Sequence, residues 1–189
     1  MKENFEKSLE KVLVYEGGYS NVANDSGGAT NLGITLQTLK QFYSETGYGD
    51  LDHDGDVDIN DIKLLDTQEE VSRIYKKDYW DKMKLDDFPG GIDFLMFDFG
   101  VNSGPGNATK LLQKSLKYQD FDILVDGKLG SFTISAVKKS NINILIKSMI
   151  KERTNFYLKI VENKPSQKVF LQGWLNRLLK VSKEVYEFV

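Results

Sequence analysis

Glu16-Gly17-Gly18-Tyr19-Ser20-Asn21, continued by Asp25-Ser26-Gly27-Gly28-Ala29-Thr30-Asn31-Leu32-Gly33-Ile34-Thr35, separates two helical patterns with a run of loop-forming residues. Upstream, Phe5, Leu9, Val12 and Leu13 recur at i, i+4, i+7 and i+8, the spacing of an amphipathic helix. Gly17-Gly18 ends that helix. Downstream, Thr35 is placed to cap a helix carrying Leu36, Leu39, Phe42 and Tyr43. Between them, Gly, Asn, Ser and Asp with short apolar words predict loops and a small β-hairpin.

The helical reading extends through the rest of the chain. Ile59, Ile62, Leu64 and Leu65 predict a short helix. Thr67 with Glu70 forms a capping-box signature before Val71, Ile74 and Tyr75. Phe88-Pro89-Gly90-Gly91 breaks the chain, and Ile92, Leu95, Met96 and Phe99 then read as a largely buried helix. Ser103-Gly104-Pro105-Gly106 breaks it again, with Asn107 as the expected cap of a helix bearing Leu111, Leu112 and Leu116. After Asp126-Gly127 and Gly130 come a short helix around Ile134 and Val137, a long one from Ile144 to Val161, and, past Pro165, a last one with Phe170, Trp174, Leu178 and Val185. The expected fold class is mainly α, with eight or nine helices.

Composition narrows the chemistry. The 189 residues include no cysteine and one histidine, His53. Disulfides, thiol nucleophiles and zinc-thiolate sites are excluded, and a Ser-His-Asp triad lacks its base. Carboxylates are then the expected acids and bases. The formal net charge is −3, and six of the 28 acidic residues lie between 50 and 61. Outside that stretch, 25 basic residues face 22 acidic ones, a balance of +3. Such a surface argues weakly for an anionic polymer and against a nucleic-acid partner. No apolar run approaches membrane-spanning length, so no membrane partner is expected. The segment Met1–Lys7 has no apolar signal core, which predicts a chain made and kept in a host cytoplasm until released to the periplasm and cell wall.

The acidic stretch is Asp50-Leu51-Asp52-His53-Asp54-Gly55-Asp56-Val57-Asp58-Ile59-Asn60-Asp61. Acidic residues at loop positions 1, 3, 5, 7, 9 and 12, with glycine at 6, follow the ligand schedule of an EF-hand-like calcium loop. Asp50, Asp52, Asp54, Asp56 (through its carbonyl), Asp58 and Asp61 are the expected ligands of a structural Ca²⁺. The twelfth residue is Asp rather than Glu, which resembles the repeat of dockerin modules, although this chain has one such loop and not their pair. A solvated acidic turn is the alternative, but six carboxylates in twelve residues repel one another and a metal is the simplest compensation.

Glu16 at a helix C-terminus faces the negative end of the dipole, which favours its protonated form. Glycoside hydrolysis needs such an acid and usually a second polar group, for which Asp25 is available across a Gly-rich segment. An exposed helix-end Glu is the commoner meaning of this spacing. The words themselves decide more. Glu16-Gly17-Gly18-Tyr19-Ser20-Asn21 and Asp25 through Thr35 resemble the N-terminal signature of the glycoside hydrolase 108 family of N-acetylmuramidases, found as phage endolysins and secretion-associated lysozymes. Tyr79-Trp80 resembles that family's Tyr-Trp word. Phe97 through Gly104, Leu112-Gln113, Val125 through Gly130 and Gly173 through Arg177 are similar to its C-terminal peptidoglycan-binding region.

The resemblance implies a lysozyme-like helical fold with a small loop and β-hairpin region, into which the EF-hand-like loop is inserted. It implies a catalytic lobe over residues 1–89, interrupted at 50–61, and a peptidoglycan-binding lobe over 90–189. The implied reaction is cleavage of the β-1,4 bond between N-acetylmuramic acid and N-acetylglucosamine. Glu16 is the implied acid, with Asp25 and Thr30 assisting. The related phage-lysozyme triad is Glu-x8-Asp-x5-Thr, and here Asp25 and Thr30 have four residues between them. Tyr19, Asn31, Tyr79, Trp80 and Asn102 are the candidate sugar contacts, while Trp174, Phe94, Phe97 and Phe99 are expected in the core. A monomeric endolysin, released by a holin or a secretion system, is the expected setting. A lytic transglycosylase and a non-catalytic calcium-dependent wall-binding module are the competing readings.

Overall fold

The computed structural model describes residues 2–19, 29–66 and 69–189, with side chains from residue 4 onward. Among them the chain is mainly α, with one two-stranded hairpin, the lysozyme-like helical fold expected. It divides into two compact units, Leu9–Asp78 on the one hand and Met1–Ser8 with Tyr79–Val189 on the other.

In the unit of residues 9–78, α1 (Lys2–Glu16) contributes buried Leu9 and Val12. Strands β1 (Thr30–Asn31) and β2 (Ile34–Thr35) pair antiparallel, Thr30 with Thr35 and Asn31 with Ile34. Thr35 then caps α2 (Leu36–Thr46) as its spacing predicts, its hydroxyl accepting from the Thr38 N–H at 3.1 Å. Gly47, at φ 71°, closes α2 by donating to the Tyr43 carbonyl. Helices α3 (Ile59–Leu64) and α4 (Glu70–Tyr75) follow. The capping box read at Thr67 lies outside the described residues. A different one opens α3, where Asp58 is the N-cap and Asp61 reaches back to its N–H. The chain continues from α4 as a π-helical stretch, Lys76–Asp81.

The other unit is built round α5 (Ile92–Ser103), whose residues 92–100 are all buried. A helix apolar on every side has to be surrounded. Helices α6 (Pro105–Leu116), α7 (Ser131–Lys139), α8 (Ile142–Asn163) and α9 (Lys168–Glu184) complete the unit. Phe5, Trp80 and Phe97 meet edge to face, with ring centroids 5.3–5.8 Å apart. This cluster is why the boundary differs from the expected 89/90: the start of α1 and residues 79–89 pack with α5. A second difference is at α6. Gly104 occupies the N-cap and Pro105 opens the helix, because a preset φ suits the first turn. Asn107 sits inside that turn and donates its amide to the Ser103 carbonyl.

Two carboxylates are buried on α5. Asp93 accepts from the Asn4 side chain and the Phe94 N–H, and burial pushes its carboxyl above the usual range. Asp98 is fully buried and lies between Arg153 of α8 and Arg177 of α9, which bind its two oxygens separately. Arg153 also donates to the Tyr157 hydroxyl at 2.7 Å. Removing the carboxylate leaves the buried Arg153 cation and the largely covered Arg177 without their counter-ion, so Asp98→Ala is expected to cost about 3–5 kcal/mol. In calorimetry that is a fall of roughly 10 °C or more. Replacing Asp98, Arg153 and Arg177 together by Leu or Met should cost less than Asp98→Ala alone; a larger loss would show that the charges stabilise the fold outright.

Candidate active site

Glu16 is the last residue of α1 and is half-buried, with no basic side chain in that final turn to offset the helix carbonyls. What stands beside it is the hairpin turn. Leu32 and Gly33 link β1 to β2 with φ of 50° and 78°, the two-residue geometry that requires left-handed backbone at both positions. Leucine is an uncommon choice there. The Tyr75 hydroxyl, on a side chain only 2% exposed, donates to the Leu32 carbonyl at 2.9 Å and holds the turn.

Gly33 is required twice over. Besides its backbone angle, a Cβ at that position would fall 2.5 Å from the Tyr75 oxygen and 3.1 Å from Glu16 Oε2. The space that a side chain would fill is bounded by the Glu16 carboxylate and the Tyr75 hydroxyl. Neither Gly33 nor Tyr75 was singled out by sequence reasoning as part of the site. The glycine carried a signal, a lone Gly at the second position of a two-residue hairpin loop, whereas the tyrosine read only as one apolar position of α4.

The other candidates are distributed as follows. Asp25 lies outside the described residues. Thr30 is on β1, half-buried, opposite Thr35. Tyr19, just past α1, is 44% exposed. Tyr79 is half-buried in the π-helical stretch. Asn102 is near the end of α5, its side-chain oxygen accepting from the Tyr157 hydroxyl at 2.7 Å and from Ser103. Two expectations are corrected. Trp80 is completely buried between the Phe5 and Phe97 rings and donates its indole N–H to Asp86, so neither face is open to a sugar. Asn31 is 9% exposed and its amide donates to the Ile62 carbonyl at 2.9 Å, tying the hairpin to α3. Of the aromatics read as core, Phe94, Phe97 and Phe99 are buried, and Trp174 is half-buried, stacked on Tyr157.

The acidic loop gathers its carboxylates into two groups. Asp50, Asp52 and Asp54 bring carboxylate oxygens within 4.8 Å of one another, and so do Asp56, Asp58 and Asp61. Gly55, at φ 102°, donates its N–H to Asp50 Oδ2 at 3.1 Å and makes the tight turn. Asp50 Oδ1 is buried and accepts no hydrogen bond. Asp61 is fully buried and accepts from the Leu51 and Asp58 N–H groups at 2.6 and 2.7 Å. Hard oxygens, close spacing and an orphaned buried acceptor fit a calcium ion.

Gly33→Ala forces a Cβ into a left-handed turn and against a buried tyrosine. A destabilisation of about 1–3 kcal/mol is expected, a fall in melting temperature of roughly 2–10 °C. A thermal transition equal to that of the parent would show that the turn yields freely.

Residues 107–179 match a family described as a predicted peptidoglycan domain. The fold matches the structure of Brucella abortus SagA with a TM-score of 0.76 at 31% sequence identity, covering 100% of this chain and 97% of that one. Comparison with curated proteins found no match. Residues 9–104 match the family described as glycosyl hydrolase 108. The chain belongs to the glycosyl hydrolase 108 family and is a glycoside hydrolase acting on peptidoglycan.

Proposed function

We propose that the chain is an N-acetylmuramidase that cleaves the β-1,4 bond between N-acetylmuramic acid and N-acetylglucosamine, with Glu16 as the general acid. The observation that carries this reading is the setting of the Glu16 carboxylate. It lies at the carbonyl end of α1, against a glycine whose missing side chain leaves it room. A carboxylic acid there hands its proton to the glycosidic oxygen as the bond to the anomeric carbon breaks. Tyr75 and Gly33 act as positioning residues by holding the Leu32-Gly33 turn beside it. Asp25, assigned on the resemblance of its sequence word, stabilises the developing positive charge or orients water, with Thr30 assisting. Tyr19, Tyr79 and Asn102 remain candidate sugar contacts.

The matched segments support a division of labour, with residues 9–104 for cleavage and 107–179 for holding the wall. The role as a phage or prophage endolysin, monomeric and released to the wall from a host cytoplasm by a holin or a secretion system, rests on the resemblance of the Glu16–Thr35 words alone. Among the described residues no helix is long and apolar enough to cross a membrane. The calcium assignment rests on the two carboxylate trios and the orphaned Asp50 oxygen. The ion would sit among Asp50, Asp52, Asp54, Asp56, Asp58 and Asp61 and offset their mutual repulsion.

Glu16→Gln keeps the shape of the side chain and removes the acid. Its expected effect is a loss of about 10²–10⁴-fold in release of reducing ends from purified cell wall, with an unaltered thermal transition. Mass spectrometry of the parent's digest should show reducing muramic acid ends; 1,6-anhydro ends would make the protein a lytic transglycosylase instead. If Ca²⁺ is bound well above its Kd, chelation should lower the melting temperature by roughly 5–10 °C. Coincident melting curves with and without chelator would remove calcium from the account.

A further inference from the structure

We infer that the open groove beside α7 is where the C-terminal unit holds the wall polymer, and that the moiety it takes is an N-acetylated hexosamine of the glycan strand. This rests on the reading of the chain as a wall hydrolase.

The groove encloses about 340 Å³, room for a sugar ring with its substituents. Gln113, Ile123 and Thr133 form its floor and are buried. On its rim, Phe132 is 86% exposed, more than any other large apolar side chain among the described residues, and Leu124 is 77% exposed. Neither contributes to the core at that exposure. Two such side chains lining one groove form a small apolar platform rather than scattered surface residues.

The polar side of the groove is fixed in advance. Gln113 donates from Nε2 to Asp126 Oδ1 at 2.8 Å and to the Lys128 carbonyl at 3.0 Å, and accepts from the Gly127 N–H at 2.9 Å. One buried amide thereby pins residues 126–128. Gly127 is at φ 80°, and a Cβ there would fall 3.2 Å from the Gly106 carbonyl, so the loop lies close against α6. Hydrogen bonds from the Lys128 N–H and from Gln113 hold the Asp126 carboxyl below the usual carboxylate range. The rim therefore offers a carboxylate acceptor and the Lys128 ammonium donor beside an exposed ring. A hexosamine matches that arrangement, with an apolar C–H face to stack on Phe132 and hydroxyl and acetamido groups for Asp126 and Lys128. Both charge signs are present, so the groove is not selective for a purely anionic or cationic peptide.

The test uses the full chain carrying Glu16→Gln, so that the polymer survives the assay. Co-sedimentation with purified peptidoglycan sacculi should weaken roughly tenfold on adding Phe132→Ala, and weaken again with Leu124→Ala. The equally exposed Val169→Ala on α9 should leave binding alone, and a coincident melting curve for each variant reports that the fold is intact. Glycan strands stripped of peptide by an amidase should compete as well as intact strands. Undiminished sedimentation of the Phe132→Ala, Leu124→Ala chain overturns the groove, and so does a parent that does not sediment. Competition by free stem peptides and not by stripped glycan overturns the sugar assignment. The hydrolase reading fails separately, if the chain with Glu16 intact releases no new ends from the same sacculi.

Discussion

A single buried carboxylate organises the larger unit. Asp98 sits on a helix whose Phe94, Met96, Phe97 and Phe99 are also buried, and a charge there is costly unless it is paired. Arg153 from α8 and Arg177 from α9 supply the pairs. Each arginine can reach Asp98 only if its helix presents one particular face to α5. A cluster of this kind can serve as a registry device, with apolar packing supplying stability and the ion pairs selecting among packings, which is what the triple replacement tests. Arg153 extends the network to Tyr157, and Tyr157 to Asn102, so the end of α5 is held by the same chain of bonds.

In the smaller unit the comparable constraint is a space. The Leu32-Gly33 turn is held in an uncommon conformation by one tyrosine hydroxyl, and the absent side chain of Gly33 leaves a gap edged by Glu16 and Tyr75. Backbone strain of this kind persists only where surrounding structure over-determines it, and such places cluster at functional sites. The strained turn and the helix-end carboxylate of Glu16 coincide here.

The acidic loop and the C-terminal groove share a design with that site. In each, a short irregular segment is fixed by one side chain bonded to its backbone: Asp61 to residues 51 and 58, Gln113 to residues 127 and 128, and Tyr75 to residue 32. Helices hold these loops through a few buried hydrogen bonds and leave the neighbouring polar groups of the loops exposed. The buried anchors are fully engaged, while the residues next to them, such as Asp126 and Phe132, face outward.

The amino-acid sequence by itself determined the helices, because 3.6-residue spacing, the Thr35 cap and the Gly-rich breaks act between residues a few positions apart. It also placed the hairpin, the carboxylate schedule of residues 50–61 and the helix-end position of Glu16, all of which are local patterns. Only the tertiary structure decided that Trp80 belongs to the core, that Asn31 is spent on Ile62, and that residues 79–89 join the larger unit. The same holds for the partnership of Asp98 with arginines 55 and 79 positions away, and of Tyr75 with a carbonyl 43 positions back. Burial and pairing at such separations depend on which surfaces converge once every helix has hidden its apolar side, and no window along the chain contains that information.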